Sequence, residues 1–206
     1  MRTALIDSHL RQLVASFGRV RPPVDDDELQ KLFDTKNYAG MASFIKKSMR
    51  IDCRLRLGLV NAGGLSAPAW MVTPDPMPRA GTREFKNTLA TMFVRKDFIA
   101  KATFEALTYA MSHECAHIVL NSVRHPLQHQ EEAVDLTCML LGYRDFYVTG
   151  CQVQHEQGEE KSGVRSSIQD VLSRLFGTGP ETATYRLGYL SREEVHYAAR
   201  RMTAGL

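Results

Sequence analysis

The sequence has 206 residues, enough to bury one sizeable hydrophobic core, so we expect a single domain spanning residues 1–206. Hydrophobic residues make up 44% and charged residues 24%, a composition that excludes an intrinsically disordered chain. The net charge of +3 is too small to indicate nucleic acid or an anionic membrane as a partner.

The cysteines and the N-terminus bear on the cellular compartment. Four cysteines are widely separated and form no C-x-x-C pair: Cys53, Cys115, Cys138 and Cys151. Such spacing predicts free thiols in a reducing compartment. Polar residues from Asp7 to Arg11 interrupt the N-terminal segment, which therefore lacks the apolar core of a signal peptide. No apolar run is long enough to span a bilayer, so we predict a cytoplasmic protein.

Residues 1–50 contain three segments with the hydrophobic spacing of amphipathic helices. The first runs from Leu5 to Phe17 and ends at Gly18, a residue typical of helix ends. The second begins after Asp25, Asp26 and Asp27, because acidic groups stabilise a helix N-terminus. The third covers Tyr38 to Met49. We therefore predict an N-terminal helical region.

The pattern changes at Ile51 and predicts a small sheet within residues 51–100. Residues 51–61 alternate apolar and polar side chains, as in a half-buried strand. Ala69 to Val72 and Asn87 to Phe98 are further strand candidates, and the three prolines between Thr73 and Thr82 predict a loop. We expect an antiparallel sheet, with an edge strand that can pair with an extended peptide.

The segment from Ala102 to Asn121 carries an H-E-x-x-H motif. His113 and His117 are four residues apart, so both imidazoles lie on one face of a helix and can bind one metal ion, for which zinc is the natural choice. Glu114 lies beside the same ion and can accept a proton from a metal-bound water. The segment is apolar on nearly all sides, which predicts a central buried helix.

A second helix, predicted from Gln130 to Leu141 and ended by Gly142, supplies candidates for a third ligand. Glu131 and Asp135 share one face of this helix, so Glu131 can reach the ion while Asp135 accepts a hydrogen bond from a ligand imidazole. Residues 101–148 would then form a zinc-binding helix pair. Two solvated acids on an exposed helix are the alternative. Other third-ligand candidates remain: Glu132, Asp135 itself, His125 and His129.

Residues 149–206 predict C-terminal helices. Gln152 to Ser162 is polar and predicts a surface loop, and Ile168 to Phe176 predicts a short amphipathic helix. Ser191 with Glu194 predicts a capping box that opens the final helix. Three residues are candidates for stabilising an oxyanion, although such side chains more often serve packing: Tyr185, Tyr189 and His196.

The sequence H-E-C-A-H followed by E-E-A-V-D resembles the HExxH and ExxxD motifs of gluzincin-type zinc metallopeptidases. The layout over about Val60 to Tyr143 is similar to the catalytic core of M48-like peptidases and of ImmA/IrrE-type proteins that cleave regulators. The resemblance implies a mainly helical, zincin-like α+β domain. It implies that zinc is bound by His113, His117 and Glu131, and that Glu114 is the general base.

These features predict a zinc-dependent peptidase that acts on a peptide or protein substrate. Zinc lowers the pKa of a bound water, and Glu114 takes its proton as the water attacks a peptide carbonyl, then passes that proton to the leaving amine. A zinc-binding regulatory or sensor protein without catalysis is a second hypothesis. A metal-free helical protein is a third.

Overall fold

The computed structural model describes residues 1–61, 67–150 and 188–205, which form an α+β fold. The N-terminal region contains three helices: α1 (Thr3–Phe17), α2 (Asp26–Asp34) and α3 (Tyr38–Ser48). The middle region contains three strands and two short helices: β1 (Arg54–Val60), β2 (Ala69–Val72), α4 (Arg83–Asn87), β3 (Leu89–Arg95) and α5 (Lys96–Ile99). Three longer elements follow: α6 (Phe104–Ser122), α7 (Glu131–Cys138) with a π-helical turn at Met139–Tyr143, and α8 (Arg192–Thr203).

The sheet is mixed, so the predicted antiparallel sheet is wrong in one of its two pairings. The strand order is β1-β3-β2, with β3 parallel to β1 and antiparallel to β2. Parallel neighbours need a long crossover connection. The chain between β1 and β3 contains β2, the proline-containing loop and α4, and it returns to the end of the sheet where β1 began. The strand at one edge of this sheet is β2.

Most predicted boundaries are confirmed to within a few residues, because local chemistry sets them. Helix α1 ends at Gly18, which has a φ of 83°. The Asp25 side chain caps α2 by accepting a hydrogen bond from the N–H of Asp27 at 3.1 Å. The third strand is shorter than the predicted range 87–98, since α4 occupies its beginning and α5 its end.

Helix α6 lies at the centre of the core, as its apolar sequence predicts. The Thr103 side chain begins the helix by accepting a hydrogen bond from the N–H of Ala106 at 3.2 Å. Helices α3 and α7 and the edge strand β2 pack against α6. Leu107, Met111 and Ile118 are fully buried among them. Because α6 is enclosed on several sides, its polar side chains are held in fixed positions.

The sequence predicts a helix end at Gly142, but the π-helical turn runs on to Tyr143 and residues 144–150 are also helical, so Gly142 marks a kink instead of an end. This residue has a φ of 107°, in the left-handed region that favours glycine. A side chain at this position would lie 2.6 Å from the carbonyl oxygen of Pro22. The N–H of Val24 also donates to the Gly142 carbonyl at 3.0 Å. The linker between α1 and α2 is therefore packed directly against this kink.

The remaining predictions have mixed outcomes. Cys53, Cys115 and Cys138 are buried free thiols, as predicted. The capping box formed by Ser191 and Glu194 is present at the start of α8. Among the described residues, no helix has the length and apolar character needed to cross a membrane. Four predictions concern positions outside the described residues: Cys151, the loop Gln152–Ser162, the helix Ile168–Phe176 and Tyr185.

Candidate metal centre

The HExxH histidines lie on one face of α6 and point toward the same region. The ring centroids of His113 and His117 are 4.9 Å apart, and the two rings are inclined by 80°. His113 is buried, while the His117 side chain keeps 23% of its surface exposed. Among the described residues, the pair is therefore more accessible from the His117 side.

Glu131, the first residue of α7, completes a cluster of three possible ligands. Its Oε2 atom lies 3.2 Å from Nε2 of His113 and 3.4 Å from Nε2 of His117. The three donor atoms all lie within 4.8 Å of one another. Ligand atoms bound tetrahedrally to zinc at about 2.0–2.1 Å are separated by roughly 3.3 Å. The separations from Glu131 therefore fit a zinc ion.

One oxygen of the Glu131 carboxylate, Oε2, is buried without a well-formed hydrogen bond to any described residue. Interactions with the His113 and His117 imidazoles, together with their charges, hold the pKa of Glu131 well below its usual range. The two imidazoles already stabilise the ionised carboxylate, and a bound cation would give its buried oxygen a partner of good geometry.

Asp135 lies behind His113 and is completely buried. Its Oδ1 atom lies 2.9 Å from Nδ1 of His113 and accepts a hydrogen bond from the Tyr109 hydroxyl at 3.0 Å. Its Oδ2 atom accepts from the main-chain N–H groups of Tyr189 at 2.8 Å and Leu190 at 3.3 Å. With Nδ1–H directed at Asp135, the imidazole presents Nε2 to Glu131 and to a metal ion.

The surroundings of His113 favour its charged form. Burial disfavours the charged imidazolium, but the interactions with Asp135 and Glu131 outweigh burial and raise the pKa of His113 to about 10. A cation that binds Nε2 has to displace this proton. Binding is therefore expected to become stronger as the pH rises.

Glu114 is 9% exposed and lies on α6 beside the cluster. Burial raises the pKa of Glu114, the positive charges of His113 and His117 oppose this effect, and the charge of Glu131 adds to it. The net direction is upward. A carboxylate with a raised pKa is a stronger base than a solvated one, which suits a group that must accept a proton near neutral pH.

The outer edge of β2 faces this site. The N–H of Arg95 donates to the Pro68 carbonyl at 3.0 Å, so residues 68 and 95 form a hydrogen-bonded pair at the end of the antiparallel ladder. Hydrogen-bonded pairs alternate along such a ladder. Met71 therefore has its N–H and C=O directed away from β3, and its N–H acts to lower the pKa of Glu114.

A polar cleft of about 550 Å³ opens from His117 and Glu131. One wall is the loop that follows β2, and the other is formed by the end of α6 and the segment leading to α7. The edge of β2 and the cleft are therefore continuous. The lining residues beyond the two ligands are Thr73, Pro74, Asp75, Pro76, Met77, Asn121, Arg124, Gln128 and His129.

The other third-ligand candidates do not join the cluster. Glu132 forms an ion pair with Arg2. His125 is buried elsewhere, with its Nε2 atom 3.1 Å from the Ser16 hydroxyl. His129 is exposed and lines the cleft without belonging to the ligand group. Asp135 contacts His113 through Nδ1, so it supports a candidate ligand rather than adding one.

The three oxyanion candidates have different outcomes. The Tyr189 ring stacks on His113 with centroids 5.8 Å apart and planes inclined by 22°, and 49% of Tyr189 is exposed. His196 is half-buried on α8 and outside the ligand cluster. Tyr185 lies outside the described residues. Of the three, Tyr189 is the one placed beside a candidate ligand.

Sequence reasoning missed Tyr109 and the main-chain donors at 189 and 190. The position of Tyr109 beside His113 could have been predicted, because Tyr109 precedes His113 by four residues and so lies one turn away on the same helix face. The main-chain donors had no such signal, since every residue except proline carries the same N–H group.

No protein-family model, curated protein or solved structure matches this chain.

Proposed function

We propose that this chain is a zinc-dependent peptidase with a zincin-like domain, in which His113, His117 and Glu131 bind zinc and Glu114 is the general base. The proposal depends most on the Glu131 Oε2 atom, which is buried and lies 3.2 and 3.4 Å from two imidazole nitrogens without a well-formed hydrogen bond. Two histidines and one glutamate are a donor set found in catalytic zinc sites, where a fourth position is left for water.

Different residues of the chain have different roles in the proposed hydrolysis. Bound zinc supplies Lewis-acid activation of water and of the substrate carbonyl. Glu114 takes a proton from the attacking water and delivers it to the departing amine nitrogen, and its raised pKa suits both transfers. The Asp135 carboxylate keeps the His113 ring oriented throughout.

The substrate we propose is an extended peptide segment. The outward C=O of Met71 offers a hydrogen bond to an added antiparallel strand, whereas its outward N–H is directed to Glu114. The side chains on one side of the scissile bond would enter the cleft between the Thr73–Met77 loop and the end of α6. A peptide held there passes over His117 and Glu131.

The proposal is tested with Glu114→Gln, which keeps the size of the side chain and removes its basicity. We expect the variant to bind one zinc ion per chain while its cleavage of unfolded proteins falls by about 10²–10⁴-fold. Zinc content is measured by elemental analysis, and cleavage by mass spectrometry with and without a chelator. Glu105→Gln, an equal change in the first turn of the same helix, is the control and should leave cleavage unchanged.

Three results would argue against parts of this proposal. Full activity in Glu114→Gln would remove Glu114 as the base. A wild-type protein that binds no zinc would overturn the metal centre. Stoichiometric zinc without cleavage of any substrate offered would favour the alternative function, a zinc-binding regulatory or sensor protein.

A further inference from the structure

We propose that Arg2 is a positioning residue for the metal centre, an inference that rests on the proposed zinc site. Arg2 donates from Nε and Nη2 to the two carboxylate oxygens of Glu194, at 2.9 and 3.0 Å. Its Nη1 forms an ion pair with Glu132. The Arg2 guanidinium thus links α7 and α8 through Glu132 and Glu194, which follow it in the chain by 130 and 192 positions. The planar, five-donor guanidinium is suited to holding two carboxylates at once.

The first route from Arg2 to the metal centre runs through α7. Glu132 directly follows the proposed ligand Glu131, so fixing one side chain restrains the helix turn that carries the other. Within the described residues, the N-cap residue Gln130 makes no capping hydrogen bond with its side chain. The beginning of α7 therefore lacks the usual local anchor, and the ion pair with Arg2 provides one from outside the helix.

The second route runs through the segment Gly188–Ser191. The Glu194 carboxylate that binds Arg2 also accepts the N–H of Ser191 at 3.0 Å, and Arg2 Nη2 donates to the carbonyl of Tyr189 at 3.4 Å. Arg2 thereby holds the segment whose main-chain N–H groups bind Asp135. Through Asp135 this route ends at the His113 imidazole.

The fit of this segment against the site is close. Gly188 has a φ of 82°, and a side-chain carbon built there would lie 1.8 Å from the Tyr109 hydroxyl and 3.3 Å from Oδ2 of Asp135. Only glycine fits at position 188. A small displacement of the segment would therefore move the donors away from Asp135, which loosens the His113 ring.

A second arginine provides a matched control. Arg201 Nε donates to Asp7 Oδ1 at 2.9 Å, and the Tyr197 hydroxyl donates to Oδ2 of the same carboxylate at 2.9 Å. This pair also ties the N-terminal region to α8. Within the described part of the chain, neither Arg201 nor Asp7 forms a hydrogen bond or ion pair with Glu132, Asp135 or the segment Gly188–Ser191. Removing Arg201 deletes a comparable ion pair without touching either route.

The experiment measures zinc affinity by competition with a chromophoric chelator, using the full chain. We expect Arg2→Ala to bind zinc about 10–100-fold more weakly than wild type, the range typical for loss of a group that supports metal ligands. Arg201→Ala should stay within about twofold, and urea unfolding of both variants measures how much stability each one loses. Arg2→Lys keeps the charge but lacks the planar guanidinium that donates to two carboxylates at once, so it should recover only part of the zinc affinity.

A spectroscopic readout separates positioning from general stability. With Co²⁺ in place of zinc, Arg2→Ala should change the visible absorption of the bound ion, whereas Arg201→Ala should not. If Arg2→Ala does not fold, Glu132→Gln removes only the link to α7 and should still weaken zinc binding several-fold.

The outcomes distinguish this inference from the proposed function. Equal zinc affinity and equal Co²⁺ spectra in the Arg2 and Arg201 variants would overturn the positioning role and leave the zinc site standing. A wild-type protein that binds no zinc would overturn both.

Discussion

At the scale of single residues, Asp135 shows how the site depends on a group that never touches the proposed ion. It is wholly buried and is approached by four groups, from His113, Tyr109 and the amides of residues 189 and 190. A buried carboxylate is tolerated because these groups replace its lost hydration. Asp135 therefore acts on the His113 ring in two ways, through its negative charge and by fixing the orientation of the ring.

Asp135→Asn should weaken zinc binding by about 10–100-fold, because an amide of the same size removes the charge and presents an NH₂ group to hydrogen-bond donors. The free energy of unfolding of the metal-free protein should fall by about 2–4 kcal/mol. Chelator competition and urea unfolding measure the two effects. Asp145→Asn changes an exposed aspartate and should alter neither. Unchanged zinc affinity in Asp135→Asn would show that His113 needs no such support.

The sequence allowed the five central residues of this site to be predicted, because each occupies a helix position defined by a short spacing. His113, Glu114 and His117 follow the helix period on α6, and Glu131 and Asp135 follow it on α7. The roles of Arg2 and the 188–190 main chain were not predictable in this way. They depend on contacts between residues far apart in the chain, which leave no local pattern.

At the scale of secondary-structure elements, the sheet shows what an alternating sequence pattern can predict. It predicts which face of a strand is buried, but not the direction of the neighbouring strand. Alternation in residues 51–61 predicts one buried face for β1, where Leu55 and Leu57 are partly buried but Leu59 is 42% exposed. The central strand β3 is buried on both faces. The pattern is the same whichever way the neighbouring strand runs. Direction is set by the connection, so the parallel pairing of β1 with β3 could not be predicted from alternation alone.

The edge of β2 can be tested with a pair of proline substitutions. Met71→Pro removes an N–H directed away from β3 and toward Glu114, so the fold and zinc binding should survive while cleavage of extended peptides falls about tenfold or more, through the edge and the base together. Trp70→Pro is the control, because the N–H of Trp70 belongs to the ladder and its ring stacks on Phe93 at 5.4 Å. That variant should lose about 2–4 kcal/mol of stability.

Peptide hydrolysis and urea unfolding of both proline variants provide the comparison. Full cleavage by Met71→Pro would show that substrates do not pair with this edge.

Helix α8 gives a prediction about pH, because its capping glutamate is also the partner of Arg2. The hydrogen bonds from Arg2 lower the pKa of Glu194 from 4.5 to about 2. A lowered folded-state pKa adds stability above pH 4.5, and this stability is lost as the pH falls toward 2.

Between pH 6 and pH 3, the wild type should therefore lose about 2 kcal/mol more unfolding free energy than Glu194→Gln. Urea unfolding across this range measures the difference. Glu193→Gln, in the same first turn of α8, is the control and should follow the wild-type curve. Parallel curves for wild type and Glu194→Gln would show that Arg2 does not hold the charged form of Glu194.

At the scale of the whole molecule, the site is assembled from parts of the chain that have little in common in sequence. In the proposed site, helix α6 supplies two ligands and the base, α7 supplies the third ligand, and the 188–190 segment supplies the main-chain donors behind Asp135. The first fifty residues carry no motif, yet they contribute Arg2 and pack α3 against α6. The sequence predicted the helices of this region but not what they hold in place.

This assembly predicts that zinc stabilises the whole domain. An ion that binds only the folded chain adds about 2.7 kcal/mol when its concentration is 100 times its Kd, which corresponds to a rise in Tm of roughly 5–11 °C for a chain of this size. Calorimetry with zinc and with a chelator measures the shift. His117→Asn should abolish most of it, because one ligand is lost and the Glu131 carboxylate faces the ion with a single imidazole. His129→Asn alters an exposed histidine of the cleft outside the ligand cluster and should keep the full shift. An equal shift in both variants would place the stabilising zinc somewhere other than between α6 and α7.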